Sequence, residues 1–393
     1  MKRNVFALLL AAVMVLGLFA GCGNEKPAET QAPVQTTAAA AETVPAETAA
    51  PAEPQPVQTL YDPNFSIELL EDGIKRVIDG DQRELILVPR ELEEVPEAYA
   101  ESIVIRTPVQ SAVFMSDTQV CCFRDADQSV IDSISGMSGT KENFAGFTAI
   151  EEAFDNGSIV SVGGGMGDPD YELLQSLEPD IVFVYTGEWG QSAIIEKLNE
   201  LGINYAVDNE YMEGNYMARM EWARFLLTFF NADEAVAAQM VEAQKTVDTV
   251  KAAIEGLEKP TLAIFSVYNG QVNGTSSDSW LGTMISDMGA VNAFADGPAG
   301  PLTMEAAFDV VQDADVIIYS STPMWCPGMD AVLENFPLLT DCAAYESGRV
   351  YQYADSFWVS IDQSHIMAED LASMLYPDAG LDAELSYFVQ LEK

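Results

Sequence analysis

One stretch, from Asn215 to Gly256, constrains this chain more than any other. Met217, Met220, Trp222, Phe225, Leu226, Phe229 and Phe230 recur at the three-and-four spacing of a helix with a buried stripe. Asn231, Ala232 and Asp233 read as a break with a fresh cap. A second, more polar helix follows, with Val236, Met240, Ala243, Val247, Val250 and Ile254 on one side. On each side of this helical bar lies a segment in which β-branched runs alternate with short amphipathic runs. The pattern predicts two α/β lobes joined by helix.

There is enough chain for that. Its 393 residues, 48% of them hydrophobic, can fill two cores. The formal charge of -44 comes from 62 acidic and 18 basic residues. Such a balance speaks against nucleic acid, whose phosphates call for Lys and Arg. It speaks equally against polybasic attachment to anionic lipid.

The first residues read as an address. Lys2 and Arg3 make a basic n-region, and Val5 to Ala20 an apolar run too short to span a bilayer comfortably. The run ends in Leu18-Phe19-Ala20-Gly21-Cys22, similar to a bacterial lipobox, in which cleavage leaves a lipidated cysteine at the mature N-terminus. Residues 1–21 are therefore expected to be a lipoprotein signal peptide. Residues 22–58, after Cys22, are Ala, Pro, Thr, Glu and Gln with almost no large apolar side chain. They are expected to be a disordered tether, because they cannot bury enough surface to offset the entropy of ordering. A soluble body on a stalk follows, outside the cytoplasmic membrane.

From Leu60 to Glu101 the signals are short, and a small hairpin leading into the first lobe is expected. SIVIRT and SAVFMS then read as strands, with a helix through TQVCCFRDADQS capped at Ser116-Asp117. IDSISGM and SIVSVGGG are strands, DPDYELLQSL a helix, DIVFVY a strand, AIIEKLNELG a helix and INYAVD a strand. After Pro260 come the strand TLAIFSVY, helices at Trp280–Met288 and Met304–Val311, and the strand DVIIYSS. The segment AVLENF, the strand RVYQYA and a helix at Gln363–Leu375 complete the chain. Alternating strands and helices imply crossovers and largely parallel sheets. The expected division is 59–213 for the first lobe with its hairpin, 214–256 for the bridge, and 257–393 for the second lobe.

Catalytic chemistry is poorly provided for. The one histidine, His365, sits in a predicted helix among Ile366, Met367 and Leu371, and no nucleophile-elbow sequence accompanies it. A metal gripped by side chains is disfavoured for the same reason. Cys121 and Cys122 diverge by about 100° on a helix and cannot chelate together easily. Sequence alone does not say whether Cys326 and Cys342 meet. Gly163–Gly165 lacks dinucleotide spacing and reads as a tight turn at a cleft rim. Aromatic residues say more. In open α/β sheets ligands sit beyond the carboxyl ends of strands. There this chain places Tyr185 and Trp189 in one lobe, and Tyr268, Trp280, Trp325 and Trp358 in the other. These predict an aromatic-walled cleft for a bulky ligand, with Trp222 in the core.

Taken together, PVQSAVFMSDTQVCCF, SVGGGMGDPDYELLQSLEPDIVFVY, EWARFLLTFFNADEAVAAQM, LTMEAAFDVVQDADVIIYSS, SGRVYQY and MAEDLASMLYP resemble the substrate-binding lipoproteins of ABC importers for iron-siderophores, haem and cobalamin. The resemblance covers nearly all of residues 100–378. It implies a class III periplasmic-binding-protein architecture, two Rossmann-like lobes joined by one long rigid helix, with ligand captured between them. It implies a monomer that is no enzyme, carries no permanent cofactor and works with a permease and its ATPase. It also implies two acidic docking contacts for permease arginines, which carry over to Glu172 and Glu305. A base-poor, aromatic cleft suits a neutral hydroxamate iron complex or a cobalamin-like corrinoid better than an anionic catecholate. Arg106, at the end of the first strand, is the nearest basic candidate. A stalked extracellular enzyme and a ligand sensor that partners a signalling protein are the competing readings.

Overall fold

The computed structural model describes residues 54–393 apart from 145, 166, 189, 296–299 and 382–383. Cys22, the signal peptide and most of the tether lie outside the described residues, as does Trp189. Among the described residues, no helix is long and apolar enough to cross a membrane.

Three sheets form among these residues. The first runs in sequence order: β1 (Gln55–Pro56), β2 (Ser66–Leu69), β3 (Lys75–Ile78), β4 (Glu84–Pro89) and β5 (Ile103–Thr107). Only its last pair, β4 with β5, is parallel. The second contains β6 (Ala112–Phe114), β7 (Ile134–Met137), β8 (Val160–Ser161), β9 (Ile181–Val184) and β10 (Tyr205–Val207), in the order β10-β9-β6-β7-β8 and parallel throughout. Its helices are α1 (Asp117–Val120), α2 (Gln128–Ile131), α3 (Thr148–Asn156), α4 (Tyr171–Ser176) and α5 (Ser192–Leu201). The bridge is α6 (Tyr216–Thr228) and α7 (Val236–Ala253), divided where 231–233 predicts a break.

The third sheet belongs to the second lobe. β11 (Thr261–Tyr268), β12 (Gln271–Gly274), β13 (Val291–Asn292), β14 (Val316–Tyr319), β15 (Val350–Tyr353) and β16 (Phe388–Gln390) run in the order β12-β11-β14-β15-β16, with β13 beside β11. Its centre, β11, β14 and β15, is parallel. The helices here are α8 (Trp280–Asp287), α9 (Met304–Val311), α10 (Gly328–Asn335), α11 (Ala343–Glu346) and α12 (Ser364–Leu375).

Strands buried on both faces need continuous apolar runs, which is why IVFV and VIIY contain no polar residue. In the second sheet Phe114, Ile181 and Phe183 face one cluster while Val113, Val182 and Val184 face another. In the third, Ile264, Val316 and Ile318 face that same first cluster, and Phe265, Ile317 and Tyr319 turn away. Ile67, Val77, Leu85, Leu87 and Ile105 of the first sheet join it as well. Three sheets thus share one core, and α6 runs through it. Every residue of α6 is buried.

The sequence marks one buried stripe on this helix, and the structure buries its other faces as well. The first sheet covers what would be the polar side. Phe65, ahead of β2, packs edge-on against Trp222 with ring centroids 4.9 Å apart. Covering a helix that carries Arg219, Glu221 and Arg224 requires partners for buried charge. Glu221 accepts hydrogen bonds from the Leu60 and Tyr61 amides at 2.9 Å each. Glu213, just before α6, accepts from the Asn64 amide at 2.8 Å and from the Trp222 indole at 2.7 Å. Lys75 of β3 reaches Thr228 Oγ1 at 3.0 Å and Asp233 at 3.1 Å.

The segment read as a hairpin before the first lobe is therefore a sheet of its own. SIVIRT, expected to open the lobe, instead completes that sheet as β5, because its partner is β4 rather than β6. Local pattern cannot choose between two parallel partners. The helix expected through 118–129 is also shorter, ending in a 3-10 turn at Cys121–Phe123. Cys121, Cys122, Cys326 and Cys342 are all buried and all unpaired.

Glu221 offers a direct check on this arrangement. Replacing it with Ala strands two amides that only it satisfies, and should cost about 3 kcal/mol of stability in urea unfolding. Glu221→Gln, which keeps an acceptor, should cost clearly less. Hydrogen exchange should show residues 60–61 opening first in the Ala variant. A Glu221→Ala protein as stable as the parent would contradict the account.

Candidate functional site

The carboxyl ends of β6, β9 and β10 converge beside α6, and a cavity of about 240 Å³ opens there. Each strand delivers a distinct group. After β6, Ser116 begins α1, its amide donating to Gln119 Oε1 at 3.2 Å, so Thr118 and Gln119 face the cavity. After β9 comes Tyr185, and after β10 come Asp208 and Glu210, followed by Tyr211. Arg219 rises from α6 below, and Trp358 closes the far side from a 3-10 turn, Phe357–Val359, that follows β15. Both lobes and the bridge contribute.

The floor is a charged network in a buried place. Glu210 and Arg219 form an ion pair through Nε, and the Thr118 hydroxyl donates to the other Glu210 oxygen at 2.8 Å. Trp280 of α8 lies under the Arg219 guanidinium, its ring centroid 4.4 Å away. That stack fixes the plane of the arginine and contributes cation–π attraction. Arg219 Nη1 has no hydrogen-bond partner, although the residue is only 2% exposed. Asp208 is 1% exposed. One of its oxygens accepts the Glu210 amide at 3.1 Å, while Oδ2 has no partner. The Gln119 carboxamide lies close to it without meeting hydrogen-bond geometry. Burial, with the Glu210 charge beside it, pushes Asp208 well above the usual carboxylate range. Nearby, burial raises Asp117 to about 6, opposed by the Gly139 amide. Position 139 has to be glycine, since a Cβ there would sit 2.1 Å from Asp117 Oδ1.

The first sheet holds this rim in place. Its β3–β4 turn lies against β10, with the Gly80 amide donating to the Val207 carbonyl at 2.9 Å and Val207 N donating to Asp79 at 3.1 Å. Thr186 donates to Asp81 at 2.5 Å, and Asn209 donates to Thr186 Oγ1 at 2.9 Å and to the Gly80 carbonyl at 3.3 Å. Tyr211 donates in turn to the Thr186 carbonyl and meets Tyr185 edge-on at 5.8 Å. The two aromatic walls on this side are thus tied to a turn some hundred residues earlier in the chain.

A family model described as periplasmic binding protein matches residues 133–356. The chain belongs to that family. Among curated proteins it is similar to two uncharacterized lipoproteins of Methanocaldococcus jannaschii. One is 26% identical, with 99% of this chain and 100% of the relative aligned, and the other 24%, with 99% and 96% aligned. Among solved structures, a periplasmic heme-binding protein from Pseudomonas aeruginosa aligns over 72% of this chain and 99% of its own, with a TM-score of 0.57 and 15% identity. A periplasmic solute-binding protein from Veillonella parvula aligns over 79% and 89%, with a TM-score of 0.55 and 18% identity. These structures share the fold. The first sheet of this periplasmic binding protein lies outside the residues that the family model matches.

Of the residues expected in the ligand site of this periplasmic binding protein, Tyr185 and Trp358 line the cavity. Trp280 sits beneath it, buried under Arg219. Tyr268, at the end of β11, and Trp325, in the loop after β14, are 72% and 78% exposed and do not line it. Arg106 is a correction. Because SIVIRT joins the first sheet, its guanidinium is spent on the carbonyls of Pro89, Arg90 and Leu92, stitching the turn after β4. Glu172 and Glu305 are exposed in the first turns of α4 and α9, whose N-caps are Asp170 and Thr303. His365 is half-buried and held below its ordinary value by burial. Sequence reading missed Asp208, Glu210 and Arg219, which form the floor.

A larger cavity of about 700 Å³ lies between α7 and α12, lined by Met240, Ala243, Val250, His365 and Ile366 among others. No strand residue lines it; α6 and the segment 122–125 border it as well. Its size alone does not make it the site.

Proposed function

We propose that this periplasmic binding protein is the substrate-binding lipoprotein of an ABC-type importer, and that it captures a metal chelate, an iron-siderophore or a corrinoid, in the cleft between its lobes. The observation that carries this reading is the floor of the cleft. Arg219 and Asp208 line the cavity, and Arg219 Nη1 and Asp208 Oδ2 are buried without a hydrogen-bond partner in the protein. A buried polar atom left so costs roughly 1–3 kcal/mol, a cost that a ligand can relieve. Tyr185, Tyr211 and Trp358 supply the aromatic surface that a bulky complex needs at the mouth. Among the described residues no group of three or more His, Cys, Asp or Glu could hold a metal ion, which fits a metal that arrives in its own chelator. The printed names of similar structures point the same way: heme-binding proteins of Pseudomonas aeruginosa and Vibrio cholerae, and a Helicobacter pylori protein with Ni(II) bound.

Cys22 is proposed as the lipidated mature N-terminus, holding the protein at the outer face of the cytoplasmic membrane. The two similar proteins named as lipoproteins support this. One measurement addresses anchor and cargo together. Native mass spectrometry of protein extracted from its own membranes should show a chain beginning at Cys22 with the added mass of lipid, and a retained metal complex. A chain that begins elsewhere removes the anchor, and a chain that never carries a metal complex removes the cargo.

Glu172 and Glu305 are proposed to dock onto permease arginines, which pair bidentately with carboxylates. Exposed charges contribute little to folding. Glu172→Ala and Glu305→Ala should therefore leave the melting temperature and ligand affinity unchanged, while uptake in cells falls, furthest in the double variant. Loss of binding and uptake together, or of neither, would remove the docking assignment.

A further inference from the structure

The charge on the cleft floor does not balance. Glu210 and Arg219 neutralise one another. Asp208 has no basic residue in hydrogen-bond contact, is fully enclosed and lines the cavity, and its Oδ2 has no hydrogen-bond partner. No second basic residue lines the cavity. Tyr185, Tyr211 and Trp358 line the same cavity, and aromatic ring faces attract cations. A deep carboxyl in a cavity with aromatic walls is the environment that selects an ammonium group over a neutral or anionic one.

The volume points the same way. About 240 Å³ is less than the roughly 300–1,000 Å³ that whole ligands of drug size occupy. An iron chelate cannot lie wholly inside it. A slender arm can, with the chelate itself held at the mouth between the aromatic walls.

Resting on the receptor reading above, we infer that the cargo is a metal chelate with a pendant primary ammonium arm, which enters the cavity and pairs with Asp208. Burial, with the Glu210 charge beside it, raises the Asp208 pKa. An ammonium beside the carboxylate opposes that shift, and any proton the carboxyl held leaves to solvent as the arm pairs with it. The Thr118–Glu210–Arg219–Trp280 chain keeps the arginine from folding onto Asp208 itself.

The test uses two ferric hydroxamate complexes that differ only in the arm: ferrioxamine B, with a free terminal amine, and its N-acetylated form. Calorimetric titration of the purified protein should show ferrioxamine B binding at least about tenfold more tightly, the scale of one charge-assisted hydrogen bond. Asp208→Asn, nearly the same shape, should abolish that preference while leaving affinity for the acetylated form in place. If both forms bind the parent equally, the floor holds only water, and the ammonium assignment falls while the receptor reading stands. If neither iron complex binds, the assignment falls too, and cyanocobalamin titrated in parallel decides whether the receptor reading falls with it. The comparison of the two ligands on the parent protein holds even if Asp208→Asn fails to fold.

Discussion

Everything in this molecule turns on one helix being buried on all sides while carrying charge. α6 has no face left for water, yet Arg219, Glu221 and Arg224 lie on it. A buried charge without a partner costs several kcal/mol, and although Arg224 Nε is left without one, Arg219 and Glu221 draw theirs from outside the helix. Glu221 finds them in the amides of Leu60 and Tyr61, and Arg219 finds Glu210 beyond β10. Those two demands tie an N-terminal sheet and a binding cleft to opposite sides of the same short rod. A rod fixed in this way gives two lobes a common floor, so the cleft is shaped before ligand arrives.

The same economy explains the first sheet. It does not merely extend the fold. Its β3–β4 turn reaches the loops after β9 and β10 and holds Thr186 and Asn209 by a closed set of hydrogen bonds. There is no slack in that contact, since a Cβ at Gly80 would come within 2.9 Å of the Asn209 side chain. Rim residues on loops are ordinarily the mobile part of a binding protein. Here they are braced from outside the lobe, and a receptor with a pre-shaped mouth loses less entropy when it binds.

How much of this the chain discloses depends on whether the cause is local. TLAIFSVY becomes β11 and MEAAFDVV becomes α9 at the residues expected, because each is bounded by its own punctuation, Pro260 in one case and the Thr303 cap in the other. The break between α6 and α7 is legible for the same reason. SIVIRT is as clearly a strand, but which sheet it joins depends on a partner far along the chain, and that part fails. Arg219 is the sharper lesson. At helical spacing an arginine among MARMEWARF reads as the solvent face, and only distant groups, Glu210 after β10 and Trp280 of α8, make its place interior. Asp208 and Glu210 were readable. They follow the strand INYAV directly, at the strand end where ligands sit, and attention to aromatic residues alone passed over them.

The central claim is that ligand binds on the floor formed by α6 and the strand ends, and not in the larger cavity between α7 and α12. Hydrogen–deuterium exchange on the protein purified from its native source, compared before and after its bound ligand is stripped, tests this most directly. The account predicts that stripping exposes residues 116–120, 208–211 and 357–359 and leaves α7 and α12 unchanged. Loss of protection at 236–250 and 362–369, with the strand ends unmoved, would contradict it.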